Sequence, residues 1–195
     1  MKALLGKKIG MSRVFTKEGG AVPVTVLEVG PCKVLQIKTK EKDGYEAVQI
    51  GYEPLKKNIG KSRKGKEFRY LKEFPLTDSL NVGDEIAVSL FKEGEKVEVA
   101  GISKGKGFQG GVRKWGFSGR NQTRGTKHEH RTLGSVGAAR PGRVWAGKRM
   151  PGRMGSQRIT VKNLRIMAVD EAQGILAVKG AVPGRKGILV EIRAK

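Results

Sequence analysis

Residues 101–156 read GISKGKGFQGGVRKWGFSGRNQTRGTKHEHRTLGSVGAARPGRVWAGKRMPGRMGS, and this stretch sets how the rest of the chain is organised. It carries thirteen Lys and Arg residues against a single acid, Glu129, and so supplies +12 of a formal net charge of +22. Its apolar residues are too few to bury a core, and so positive a run repels itself, so it takes its order from an anionic partner. The partner implied is a nucleic acid. Eight of the thirteen basic residues are Arg, whereas before Gly101 only Arg13, Arg63 and Arg69 are, among nineteen. Arg offers phosphate a planar fork and a flat stacking face, where Lys is a hydrated point charge. Fourteen of the chain's 29 glycines fall here too, which lets the backbone turn freely and come close to phosphates. Trp115, Phe117 and Trp145 are interleaved with the arginines, and each can either stack on an unpaired base or anchor the segment to its own protein.

The candidate RNA contacts in this stretch are Lys104, Lys106, Arg113, Lys114, Trp115, Arg120, Arg124, Lys127, His128, His130, Arg131, Arg140, Arg143, Lys148, Arg149 and Arg153. A second run, KKNIGKSRKGK over 56–66, has six basic residues and no acid. Its lack of periodicity predicts a surface loop, and its unbalanced charge adds Lys61, Arg63 and Lys64 to the candidates.

On either side the pattern changes to short strands. AVPVTVLEV alternates Val22, Val24 and Val26, CKVLQIKT follows the Gly30-Pro31 break, and YEAVQIGYE sets Val48 and Ile50 on one face. Ile86, Val88 and Leu90 alternate in a further predicted strand, as do Val97 and Val99. After the basic stretch come NLRIMAV, ILAVKGAV and GILVEIR, parted by turns at Asp170–Gly174 and Pro183–Gly187. Short strands at this spacing favour a barrel or a sandwich. Residues 1–100 and 157–195 are therefore expected to form one β-body, with 101–156 as an excursion that leaves and re-enters it. At about 3.3 Å per residue, an out-and-back path of roughly 28 residues each way reaches at most about 90 Å. A body of this size has a radius of gyration of about 14 Å.

Composition narrows the alternatives. Cys32 is the only cysteine, so neither an internal disulfide nor a cysteine zinc cluster can form, and a strand start suits it. MKALLGKKIGM has too short an apolar run for a signal peptide, and no stretch approaches the roughly 18 apolar residues of a membrane span. The expectation is a cytoplasmic, soluble protein with no membrane partner, no metal, no cofactor and no small-molecule substrate. GKGFQG at 105–110 matches G-x-G-x-x-G, but neither an amphipathic helix nor a second strand follows to complete a dinucleotide site. Gly60-Lys61-Ser62 lacks the earlier glycine of a phosphate-binding loop, since that position is Leu55. His128-Glu129-His130 offers adjacent ligands with no further His, which is poor zinc spacing. Gly134-Ser135-Val136-Gly137 is not spaced as a nucleophile elbow. No catalytic site is expected.

Three separated stretches resemble the large-subunit ribosomal protein family called L-three, in its bacterial form. They are LLGKKIGMSRVFTKEGGAVPVTVLE, GISKGKGFQGGVRKWGF and VDEAQGILAVKGAVPGRKGILV. Ser103-Lys104-Gly105-Lys106-Gly107 with Gly110 and Arg113-Lys114 is similar to the family signature, departing at Glu98, where Asp or Asn is usual, and at Lys114, where the signature closes on Arg. The resemblance implies a mainly β fold, a six-stranded translation-factor-like barrel, with a long basic extension threading 23S ribosomal RNA toward the peptidyl transferase centre. It also implies an early role in subunit assembly. GSVGAARPGRV is similar to the family's loop tip, which would put Gly137, Ala138, Ala139 and Arg140 nearest that centre. The methylated glutamine of bacterial relatives has no counterpart at Ala138-Ala139. Neighbouring ribosomal proteins are the other partners implied. A non-ribosomal RNA chaperone or DNA-architectural protein would share this composition, and an enzyme using the Gly-rich loop for a nucleotide stands further off.

Overall fold

Period-2 apolar patterning underlies the longer of twelve strands, and the computed structural model describes them within residues 2–15, 19–55, 60–61, 65–75, 80–140 and 142–194. In order they are β1 (Ala3–Phe15), β2 (Ala21–Glu28), β3 (Cys32–Lys38), β4 (Ala47–Pro54), β5 (Phe68–Pro75), β6 (Glu85–Ile86), β7 (Lys96–Ile102), β8 (Phe108–Gln109), β9 (Gly152–Arg153), β10 (Arg158–Asp170), β11 (Ile175–Lys179) and β12 (Leu189–Ala194). Two one-turn helices join them, α1 (Lys40–Asp43) and α2 (Gly111–Trp115). The chain divides into two units, Met1–Ile102 with Arg158–Lys195, and Ser103–Gln157.

In the first unit six strands close into a barrel in the order β1-β12-β7-β10-β11-β2. All neighbours are antiparallel, and closure leaves no strand of the ring without a partner on either side. Leu4, Leu27, Val97, Val99, Leu176, Val178, Val190 and Ile192 are fully buried within its core. At roughly 2 kcal/mol per buried aliphatic side chain, burial of this kind is the main force holding the ring together. β1 is a single long strand whose register shifts between Lys8 and Gly10, a bulge inside a continuous strand.

A second sheet, in the order β5-β4-β3-β6, accompanies the barrel within the same unit. The resemblance points to the six-stranded ring alone, and this sheet is additional to it. Cys32 opens β3 and is buried, and the Leu5 backbone N–H of β1 donates to its sulfur at 3.4 Å. Burial pushes the Cys32 thiol up to about 11, against a small opposing effect of the Leu5 backbone contact, so it stays a packed, neutral thiol. Val34, Val48, Ile50, Tyr52 and Phe74 of this sheet join the same apolar cluster as the barrel residues. Ion pairs bind the rims, Lys7 of β1 to Glu53 of β4 at 2.6 Å and Lys72 of β5 to Glu191 of β12 at 3.3 Å.

The predicted strand through Val88 and Leu90 is overturned. Val88–Leu90 forms a 3-10 turn, with the Phe91 N–H bonded to the Val88 carbonyl at 3.0 Å. Such a turn brings side chains three apart to one side, and Val88 and Phe91 are both buried. Tertiary burial outweighs the β-like alternation here.

β10 begins earlier than NLRIMAV suggests. Arg158 pairs with Ile102, the last residue of β7, and the pairing continues through Thr160 and Ala100. The register then shifts between Val161 and Leu164, where Asn163 adopts φ +58°. The chain therefore leaves the first unit at the end of one barrel strand and returns at the start of its neighbour. Most of 56–66, including Arg63 and Lys64, lies outside the described residues, while Lys61 is exposed.

Candidate nucleic-acid interface

The second unit is closed by its own backbone. Ser103 N–H donates to the Gln157 carbonyl at 2.9 Å, Ser156 N–H to Ser103 at 3.2 Å, Lys106 N–H to Met154 at 2.9 Å and Met154 N–H to Gly107 at 3.0 Å. The entering and leaving chains then pair as β8 and β9, with Phe108 opposite Arg153. This backbone zipper needs no apolar core, which explains how so polar a sequence holds a fixed base.

Beyond it, α2 ends on Gly116 in the left-handed conformation, φ +74°. Gly111 is buried against Leu133 and Phe117, whose side chains lie where a Cβ would stand. Phe117 thus packs inside the unit. Trp115 donates its indole N–H to the Met150 carbonyl at 2.8 Å, and Lys114 Nζ and the Arg149 guanidinium lie 5.1 and 5.4 Å from the ring centre. Those contacts fasten α2 to the returning chain. Trp145, 63% exposed, and Phe108, 76% exposed, have open rings. Phe108 is absent from the sequence candidates; its one signal there is an aromatic set between glycines in GKGFQG.

The next turn is a loop closed on itself. Arg120 N–H donates to the His130 carbonyl at 3.2 Å, and the Arg120 guanidinium pairs with Glu129. His128–Arg131 forms a 3-10 turn capped by Thr132, whose hydroxyl donates to the Glu129 carbonyl at 3.0 Å. Gly119 sits at φ +71°, and a Cβ there would collide with the His130 carbonyl oxygen. Gly119→Ala is therefore expected to break this closure, adding more than about 1–2 kcal/mol of left-handed strain before the clash is counted. The check is hydrogen exchange, which should show the Arg120 amide losing protection while amides of β7 and β12 keep theirs.

Electrostatically the unit is one-sided. It holds all thirteen basic residues and the one acid of the 101–156 stretch, and that acid is taken by Arg120. Lys114 is half-buried; the other twelve basic residues are exposed. Gly137, Ala138, Ala139 and Arg140 are also exposed, in a loop where the Ser135 hydroxyl donates to the Gly137 carbonyl at 2.8 Å. Among the described residues no group of His, Cys, Asp or Glu is placed to hold a metal, and in His128-Glu129-His130 the carboxylate is engaged by Arg120. An array of exposed guanidinium and ammonium groups with a single carboxylate among them can bind polyanions.

The family model for ribosomal protein L3 matches residues 69–174, a span that contains the whole second unit. Large ribosomal subunit protein uL3 of Dehalococcoides mccartyi is 44% identical over 201 residues, covering 99% of this chain and 98% of the relative. The uL3 proteins of Carboxydothermus hydrogenoformans and Pelotomaculum thermopropionicum are 46% and 48% identical, each covering 98% of this chain and 96% of the relative. The chain belongs to the ribosomal protein L3 family. Ser103–Gly107 fall on the backbone zipper, and Gly110 is the N-cap of α2. Lys104, Lys106 and Arg153 flank that zipper, Arg113, Lys114 and Trp115 lie on α2, and Arg120, Arg124, Lys127, His128, His130 and Arg131 line the closed loop and its approach. Arg140, Arg143, Lys148 and Arg149 lie on the run from the 137–140 loop toward β9.

Proposed function

We propose that this L3 family member is a structural constituent of the large ribosomal subunit that binds 23S ribosomal RNA through residues 103–157. One observation carries the reading. Twelve exposed basic side chains stand in a backbone-closed unit whose one carboxylate is paired with Arg120, so the charge of the other eleven is left for a polyanion. The β-barrel, read as translation-factor-like, would serve as the docking body. The exposed tip at Gly137–Arg140 would approach the peptidyl transferase centre, and its influence on peptide-bond formation would be indirect, through the placing of RNA. Early assembly follows from the same physics, since neutralising crowded phosphates is needed before RNA helices pack.

The test is binding to protein-free 23S ribosomal RNA across salt. If roughly six to ten basic residues meet phosphates, affinity should fall about three to five orders of magnitude between 50 and 200 mM salt, or somewhat less on single-stranded RNA. A flat response sinks the reading. Co-sedimentation with large subunits through high-salt washes separates a resident protein from an RNA chaperone, which would be stripped off.

A further inference from the structure

We propose that the first unit carries a second RNA contact, a cleft at the seam of β5 and β12 that takes a backbone phosphate between Lys72, Arg158 and Arg193. The cleft has a volume of about 490 Å³, and Leu71 is the one apolar residue lining it. Three cations from three strands converge there on a single carboxylate, Glu191: Arg158 at 2.5 Å, Lys72 at 3.3 Å and Arg193 at 3.8 Å. Burial pushes the Glu191 carboxyl up, but Arg158 and Lys72 outweigh it and hold the group below the usual carboxylate range. The second acid lining the cleft, Glu73, is engaged by Lys38 at 2.9 Å, the Tyr45 hydroxyl at 2.8 Å and Gln49 at 3.3 Å.

With Lys38 counted, four cations face two carboxylates, and the excess is positive. One partner is enough to neutralise each carboxylate, so two of the four cations are left with charge to offer a further anion. Arg193, the most distant of the three from Glu191, sits over the Phe74 ring at 4.8 Å, which helps to order its guanidinium and leaves it only a weak hold on the acid. Donors arriving from β5, β10 and β12 can share the oxygens of one phosphate, a group that guanidinium forks bind bidentately. Within a chain read as an rRNA binder, the occupant is RNA and not an acidic protein segment. The assignment rests on the reading of the protein as an rRNA binder, and adds a foothold built from strands of the first unit.

The experiment uses the full chain and protein-free 23S ribosomal RNA, titrated across salt. Lys72→Gln with Arg193→Gln should lower the slope of log affinity on log salt by about 0.7 to 0.9, the share of one phosphate, and weaken binding on the order of 5- to 10-fold near 0.1 M salt. Lys72→Gln alone, which leaves Arg158 on Glu191, should show about half that slope change if the double variant folds poorly. Glu191→Gln should tighten binding several-fold, because the same cations then face RNA without a competing acid. A steep wild-type slope left unchanged in both lysine variants overturns this inference alone. A flat wild-type slope overturns the parent reading and this one with it. Poly-glutamate bound by the wild type and not by the double variant, with RNA binding equal in both, overturns the RNA assignment in favour of an acidic protein partner.

Discussion

Replacing Arg113, Arg120, Arg124 and Arg131 together by Gln is expected to weaken binding to 23S ribosomal RNA by about three orders of magnitude near 0.1 M salt. Each phosphate no longer neutralised takes roughly 0.7 to 0.9 from the slope of log affinity on log salt, so four take about three. Two of the four side chains also bond inside the unit: Arg113 donates to Gln109 at 3.2 Å, and Arg120 pairs with Glu129. Removing Arg120 frees Glu129 to face the RNA, which places the expected weakening at the upper end. The zipper between 103–107 and 154–157 is made of backbone bonds, so the unit's base should survive the change. The measurements are filter binding across salt and sedimentation of subunit particles from cells carrying the variant. Near-normal assembly with an unchanged slope would show that these arginines meet no RNA.

Charge and periodicity make most of the body legible, and the reasons for the misses are physical. Of the positions read as core from alternation, Val24, Val48, Ile50, Val97 and Val99 are buried, while Val22 and Val26 are only half-buried. Alternation says which face of a strand is covered, but not by what. The four-stranded sheet beside the barrel therefore stays hidden, because it is defined by which distant strands pair, as when Cys32 meets Ile86. At Val88 the alternation itself misleads, since a 3-10 turn buries residues three apart. Local pattern leaves Trp115 between base stacking and anchoring; its bond to Met150, thirty-five residues away, supplies an anchor that no such pattern encodes. Glu191 lacks a signal for the same reason. Its partners Lys72 and Arg158 lie 119 and 33 residues off in sequence, and only the fold brings them together.

Phe74→Ala should cost the first unit about 3–5 kcal/mol. The ring is 1% exposed and is among the largest fully buried side chains, placed by β5 in the cluster that also holds Leu5 of β1 and Ile192 of β12. Removing it opens a cavity in the apolar layer shared by sheet and barrel, and domains of this size have only about 5–15 kcal/mol of net stability to lose. The ring also lies under the Arg193 guanidinium at 4.8 Å, an interaction contributing about 0.5–1 kcal/mol at a partly exposed site. Phe74→Leu, which keeps most of the volume but not the π face, should cost far less in stability. It should still release Arg193, and so lower RNA affinity more than its stability loss explains. Denaturant unfolding followed by two probes checks the first effect, one reporting on β3–β5 and one on β7–β12. A single shifted transition means that sheet and barrel unfold together. A shift in the β3–β5 probe alone would mean that the sheet is an independent layer, and the cluster uniting Phe74 with Leu5 and Ile192 would then contribute little to the barrel.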